Sequence, residues 1–358
     1  MASFSYEALH RLALDVFTVM GCPPEQARTA ADALLSADLR GVDSHGVARL
    51  SGYVRLWENG RVNPQPVIRI VHETPSTAVV DGDGGLGLVV APFAMQVAIA
   101  KATQAGTGWV STCNSNHYGI AGYHAMQALP HDMIGLSMTN ASPLVAPTFS
   151  SERLLGTNPI AVAIPAGEEP PFVADLATTT AANGKLEILQ RKKAQAPLGW
   201  IQDAAGQPTT DPTATTRGGA LLPLGGDREH GSHKGYALGA VVDIFSAVLS
   251  GANYGPWVPP FVAFLPVAPD LPGKGIGHFF GAMRVDAFRP AEDFKRDMDR
   301  WIRRFRAAKP VAGQERVLIP GDPEREISAV RLAGGIPVVD AVVEDLTQLA
   351  ARLGVAFP

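Results

Sequence analysis

His45 and Arg49 stand four residues apart in Gly41-Val-Asp-Ser-His-Gly-Val-Ala-Arg49, a spacing that puts both side chains on one face of a helix. An imidazole exchanges a proton near neutral pH, and a guanidinium one turn away can grip a carboxylate through two parallel hydrogen bonds. Together they offer proton transfer beside a fixed acid group. From sequence alone, a helix-start histidine next to a surface arginine is an equally good reading. A second histidine, His117, follows a strand in Asn114-Ser-Asn-His-Tyr-Gly119, on a loop where exposed histidines are common.

The stretch Leu155 to Lys185 has the character of a site. Two apolar runs, Ile160–Ile164 and Phe172–Ala174, are bounded by Gly and Pro, as buried strands are. The second ends in Asp175 and a block of small residues, Ala177 to Ala182, closed by Asn183, Gly184 and Lys185 as a turn. A carboxylate at a strand end, followed by hydroxyls and free amides, is how open α/β sheets present a ligand site at their carboxyl edge. Further on, Lys234-Gly-Tyr236 begins a helix; its free amides and Lys234 suit an anion, and a solvated lysine beside a cap suits the same residues. Gly82-Asp-Gly-Gly-Leu-Gly87 fits the dinucleotide fingerprint but lacks the acid about 20 residues on that such a site uses for ribose. A tight structural turn is the favoured reading there.

Several classes are disfavoured. Glu229, His230 and His233, with His117 and His124, are candidate zinc donors, but glycines surround them and no His-Glu-x-x-His spacing occurs, so no metal is expected. There is no Gly-x-Ser-x-Gly elbow for serine hydrolysis. A formal charge of −4 over 358 residues, with no basic stripe, argues against nucleic acid and anionic membrane as partners. The longest apolar helical candidate, Tyr236–Ser250, is short and contains Asp243, so no membrane span is expected. Met1–Leu12 carries Glu7 and lacks the apolar core of a signal peptide. Cys22 and Cys113 stand apart like reduced thiols, and a cytoplasmic location is expected.

The elements that must position these residues alternate. Helices are expected at Ser5–Met20 and Pro24–Leu39, then from a cap at Asp43 or Ser44 to Glu58. Pro-bounded strands follow between Asn63 and Gly87, a helix over Leu88–Ala105, and strands at Trp109–Cys113 and Ile134–Thr139. Arg191–Pro212 reads as a polar excursion, Val258–Leu265 and Gly277–Val285 as strands. The tail carries two amphipathic helices, around Phe294–Phe305 and Val342–Leu353. An α/β centre between helical ends suggests a domain of residues 76–287 beside a helical one built from 1–75 together with 288–358.

Seven blocks in one order carry a resemblance: Ser44-His-Gly-Val-Ala-Arg49, Asn114-Ser-Asn-His-Tyr-Gly119, Gly156-Thr-Asn-Pro159, Asp175-Leu-Ala-Thr178, Gly184-Lys185, Lys234-Gly-Tyr236 and Gly321-Asp322. Over nearly its whole length the chain resembles the malate/L-lactate dehydrogenase family, which is unrelated to the Rossmann lactate dehydrogenases. That family includes sulfolactate, ureidoglycolate and diketogulonate dehydrogenases and cyclic imino-acid reductases. The resemblance implies an α/β fold of the sulfolactate-dehydrogenase-like, non-Rossmann type, with a central mixed sheet and a homodimer whose site lies near the subunit interface. It implies NAD as cofactor, with NADP open. The family's acid/base falls on His45 and its carboxylate holder on Arg49, with His117 and Lys185 on the substrate side. Cofactor contacts fall on Thr157 and Asn158, on the strand Phe172, Val173, Ala174, Asp175, Leu176 and Ala177, on His233 and Lys234, and on the turn Gly321-Asp322-Pro323. An insertion, Asp227–Ser232, departs from the shorter members just before Lys234. The implied activity is hydride transfer between nicotinamide and a small 2-hydroxy/2-oxo acid. Reduction of a cyclic imino acid is the runner-up, and a non-catalytic dimeric binding protein the alternative outside enzymes.

Overall fold

The computed structural model describes residues 2–263 and 265–358. The chain opens with β1 (Ala2–Phe4) and α1 (Tyr6–Val19), whose first turn is capped by Ser5 Oγ accepting the Ala8 N–H at 3.1 Å. Helix α1 buries Leu9, Leu12, Val16 and Phe17 against α2 (Pro24–Leu39), which starts with proline at its first position. The helix expected from Asp43 onward is broken. Two single 3₁₀ turns, Asp43–His45 and Val47–Arg49, precede α3 (Leu50–Glu58), because Gly46 between them is extended (φ −92°, ψ −142°).

Next come β2 (Arg69–Glu73), β3 (Thr77–Asp81), α4 (Gly87–Ala105), β4 (Thr107–Ser115), α5 (Ala121–Met126), β5 (Met133–Thr139), β6 (Ile160–Ile164) and β7 (Phe172–Leu176). Residues Asn183–Arg191 form α6, so the turn expected at Asn183–Lys185 is a helix start. The polar excursion contains the short strands β8 (Ile201–Gln202), β9 (Pro208–Thr209) and β10 (Ala220–Leu221), paired as one small sheet. Helix α7 (Ser232–Asp243) continues into a π turn, Ile244–Val248, and β11 (Ile276–Arg284) returns to the main sheet. Strand pairing is absent from the expected strand Val258–Leu265, of which Phe264 lies outside the described residues; Pro259 and Pro260 have no N–H to give a ladder. The tail holds α8 (Ala291–Arg306), α9 (Asp322–Gly334), β12 (Ile336–Val338) and α10 (Asp340–Leu353), one helix more than the sequence suggested.

The main sheet has the order β2-β3-β4-β11-β5-β6-β7. Only β3 and β4 run parallel; the other pairs are antiparallel, so the sheet is mixed as expected. At 19 residues, α4 and not Tyr236–Ser250 is the longer apolar helix, long and apolar enough by length and composition to cross a membrane. Here it packs between the sheet and α2, with Leu88, Val90, Met95 and Ala98 buried. Strand β1 pairs with β12, which brings the two ends of the chain together, and α10 packs on α1 and α3. Helix α8 lies against the β6–β7 hairpin: Trp301 meets Phe172 edge-on at 5.8 Å, and the Asp299 carboxylate accepts the N–H groups of Gly167, Glu168 and Glu169 at 2.9–3.1 Å.

Candidate active site

The His45 turn is folded by its own neighbours. The Asp38 carboxylate, 2% exposed at the end of α2, accepts the Val47 N–H at 2.8 Å. Arg49 Nε donates to the Ser44 carbonyl at 2.5 Å, and Ser44 Oγ lies 2.9 Å from His45 Nδ1. This presents the His45 ring to His117, with centroids 5.6 Å apart and planes at 26°.

His117 arrives on the segment that leaves β4. Asn116 Nδ2 donates to the carbonyls of Gly84 and Gly85 at 2.9 and 3.0 Å. At Gly87 a Cβ would lie 2.1 Å from the Asn116 carbonyl oxygen and 2.5 Å from that of His117. The glycine cluster 82–87 therefore has a structural reason, close approach to the backbone that carries His117. Tyr53 OH lies 2.6 Å from His117 Nδ1, and the Phe261 ring packs 4.7 Å from the same imidazole. Phe261 also meets Arg49, whose Cζ is 5.7 Å from the ring centroid.

Burial and then Arg49 push His45 down from about 6.5 to about 4. His117 is driven well below its ordinary value by burial, then by His45, Arg49 and His278. Both rings are therefore neutral at physiological pH, and a neutral His45 can take a proton from an alcohol. A carboxylate bound to Arg49 would cancel that guanidinium's effect and make His45 a better proton carrier. A cleft of about 60 Å³ is lined by His45, His117, Tyr118, Asn140, Thr157 and Phe261. A second, of about 270 Å³, is lined by Arg49, Gly52, Arg55 and Phe261. Phe261 lines both clefts and touches both the His117 imidazole and the Arg49 guanidinium.

The residues expected to hold the cofactor fall into two groups. Asp175 and Leu176 are exposed at the end of β7, where the Asp175 carboxylate accepts the Gly122 N–H at 2.7 Å. Crowding by protein raises Asp175 to about 6, against the Gly122 amide and Arg40. Ala174 and Ala177 are half-buried beside them. The Val173 N–H donates to Pro320 O at 3.0 Å, which brings the Gly321-Asp322-Pro323 turn to β7. Lys234 lies exposed in the first turn of α7, which begins four residues earlier than Tyr236 because Asp227–Ser232 builds its start. His233 Nδ1 is 2.9 Å from Arg228 Nη1.

The second group has side chains spent on the fold. Asn158 is wholly buried at φ +36°, accepting the Ala141 N–H at 3.1 Å and donating to Gly239 O at 2.9 Å. Asp322 accepts the Ile319 N–H at 2.9 Å and pairs with Arg306 at 3.2 Å and Arg325 at 2.5 Å. Phe172 packs on Trp301 and Val173 lies in the core, whereas Thr157 gives only its backbone carbonyl, to the Thr178 N–H at 2.9 Å, and remains in the lining of the small cleft. Lys185 is exposed in the first turn of α6 with its ammonium 5.7 Å from the centre of the Trp200 ring. Gly184 abuts Ser44, so Lys185 stands at the rim of the His45 turn and does not line the small cleft.

Sequence reasoning missed Asp38, Tyr53 and Phe261. Tyr53 had a signal, because Arg49 and Tyr53 are themselves four apart. Phe261 had none, lying in a loop after two prolines. Among the described residues no group of three or more His, Cys, Asp or Glu could hold a metal ion.

A family model described as malate/L-lactate dehydrogenase matches residues 4–347. The chain belongs to the malate/L-lactate dehydrogenase family. It is 45% identical to malate dehydrogenase of Pyrococcus horikoshii over 341 residues, covering 95% of this chain and 92% of that one. L-sulfolactate dehydrogenase of Methanocaldococcus jannaschii is 39% identical over 353 residues, covering 96% and 95%. Ureidoglycolate dehydrogenase (NAD(+)) of Escherichia coli is 32% identical over 342 residues, covering 96% and 94%. The solved structure of malate dehydrogenase from Pyrococcus horikoshii overlays with a TM-score of 0.90 at 42% identity, covering 99% and 96%. That of delta1-piperideine-2-carboxylate reductase from Pseudomonas syringae overlays at 0.84 and 30% identity, covering 98% and 100%. As a member of this family the chain is an enzyme, an oxidoreductase with the non-Rossmann mixed-sheet fold of these dehydrogenases.

Proposed function

We propose that this enzyme transfers hydride between NAD and the 2-carbon of a small 2-hydroxy/2-oxo acid of the malate/lactate class. The stack of His45 on His117 beside Arg49 carries the reading. Arg49 holds the substrate carboxylate, and His45 gives a proton to the carbonyl oxygen in reduction or takes it from the alcohol in oxidation. Lys185 adds positive charge at the rim.

The residues fit a dinucleotide. Asp175 and Leu176 are open at the end of β7, and although the Ser232 and Lys234 N–H groups are already given to the Asp227 and Gly231 carbonyls, the exposed Lys234 side chain in the first turn of α7 suits a pyrophosphate. When bound, the nicotinamide supplies or accepts the hydride. A carboxylate at Asp175 accepts from a ribose diol and repels a 2′-phosphate, which favours NAD over NADP.

The enzyme works as a homodimer in the cytoplasm. Along α7 and its π turn, Tyr236, Leu238, Val241, Ile244, Phe245, Val248 and Leu249 are each at least 39% exposed, a surface that a second copy would cover. Both thiols, Cys22 and Cys113, are buried and unpaired, as reduced cysteines are.

Fluorescence titration with NADH, followed by turnover of oxaloacetate, pyruvate and Δ1-piperideine-2-carboxylate, tests the reading. NADH binding with faster reduction of an oxo acid is the expected result. Preferred reduction of the cyclic imine would move the enzyme to the imino-acid branch, and binding without turnover of any compound would make it a non-catalytic relative.

A further inference from the structure

Two donors converge on one nitrogen of His117. The Gly119 N–H reaches Nδ1 at 3.4 Å, and Tyr53 OH lies 2.6 Å from the same atom. A backbone amide can only donate, so this long contact favours Nδ1 as an acceptor. The Tyr53 hydroxyl, on a fully buried side chain, has that nitrogen as its one hydrogen-bond partner among the described residues, and its proton goes there too. A neutral imidazole that accepts at Nδ1 carries its single proton on Nε2, the edge turned away from Tyr53.

His45 is arranged differently. Its Nδ1 faces the Ser44 hydroxyl, which can donate or accept and so tolerates both charge states of the ring. Protonating His117 at Nδ1 would set a new N–H against the Gly119 N–H, and burial together with His45, Arg49 and His278 opposes the charge as well.

We propose that Tyr53 is a positioning residue that fixes His117 as its Nε2–H tautomer, so that His117 donates a neutral hydrogen bond to the substrate oxygen while His45 alone moves the proton. This rests on reading the His45–His117 cleft as the substrate site. The oxygen gains negative charge as hydride reaches the adjacent carbon, and a donor already fixed there stabilises that charge without reorganising. The ring of Tyr53 is held independently of its hydroxyl, by Phe17 at 6.3 Å and Phe261 at 5.2 Å, so Tyr53→Phe deletes the hydrogen bond and keeps the packing.

Long-range proton–nitrogen correlation spectra of the full-length protein labelled with 15N-histidine, with His117 assigned through His117→Gln, read the tautomer directly. The expected wild-type result is an Nε2–H ring that does not titrate between about pH 8 and about pH 6. Tyr53→Phe leaves only the long 3.4 Å Gly119 contact, too weak to hold the tautomer alone, and should give mixed tautomers and a kcat lowered by about tenfold, part of the 10²–10³ that a lost oxyanion donor costs, with the KM for NADH unchanged. An Nδ1–H or cationic His117 in the wild type would overturn the proposal, as would an unaltered tautomer in Tyr53→Phe. The wild-type spectrum decides the tautomer even if the variant folds poorly. An Nε2–H ring in a protein that reduces no oxo acid would support the lock while overturning the reading of the cleft.

Discussion

The carboxylate of Asp38 accepts the backbone N–H of Val47 at 2.8 Å, two residues beyond His45. Gly46 lies so close that a Cβ there would fall 2.1 Å from the Asp38 carboxyl group. The turn that presents the imidazole is thus fixed by a buried acid one helix away. The Arg331 guanidinium ties the same corner to α9 through the Asp38 carbonyl and the Asp43 carboxylate.

Asp38→Asn keeps an acceptor for Val47 and should retain most activity. Asp38→Ala leaves a buried N–H unmet, which costs about 1–3 kcal/mol, and should lower kcat along with the melting temperature. Chemical denaturation and initial rates on both variants check this. Equal stability and turnover in the alanine variant would remove Asp38 from the account.

Acid should destabilise the fold. His45 and His124 are lowered to about 4 and His278 to about 3, each mainly by burial, and His117 lies well below its ordinary value. The unfolded chain takes up these protons near 6.5 and the folded chain does not, so their contribution is present above about 6.5 and lost as pH falls toward 4. Asp38, raised to about 7, Asp175, raised to about 6, and Asp243, also raised, each mainly by burial, act with the opposite sign. Four imidazoles against three carboxyls leave a net loss on acidification. Melting temperatures measured from about pH 8 to about pH 5 should fall, and His124→Gln should flatten the slope. A melting temperature that rises toward acid would contradict this balance.

The glycine cluster offers a separate test. Gly84 has φ +70° and room around it, so Gly84→Ala should cost about 1–2 kcal/mol through backbone strain alone and leave the KM for NADH unchanged. Gly87→Ala collides with backbone and should impair folding more severely. Thermal melts and NADH titrations on both variants read the two effects. Unchanged stability with abolished NADH binding in Gly84→Ala would make the cluster a cofactor loop after all.

Much of this was legible in the sequence, for identifiable reasons. His45 and Arg49 meet at one corner but not on one helix face: the extended Gly46 separates their two 3₁₀ turns, and the bond from Arg49 Nε to the Ser44 carbonyl brings them together. Strands β6 and β7 were marked by their Gly and Pro boundaries. Helix α9 was hidden because Gly321-Asp-Pro323 punctuates a turn and a helix start equally well. The start of α7 was hidden by glycines whose positive φ, as at Gly231, is visible only in three dimensions. Phe261 could not be found by any periodicity, since its place between His117 and Arg49 depends on a loop held by Ser142 Oγ, which accepts the Phe261 N–H at 3.1 Å.

The role of His45 as proton carrier is the central claim, and the turnover of His45→Ala measured beside its NADH affinity tests it most directly. General acid–base catalysis contributes about 10²–10⁴ in rate, so kcat for oxo-acid reduction should fall by at least about 100-fold while NADH binds as in the wild type. A variant that binds NADH and reduces the same acid at close to the wild-type rate would contradict the account.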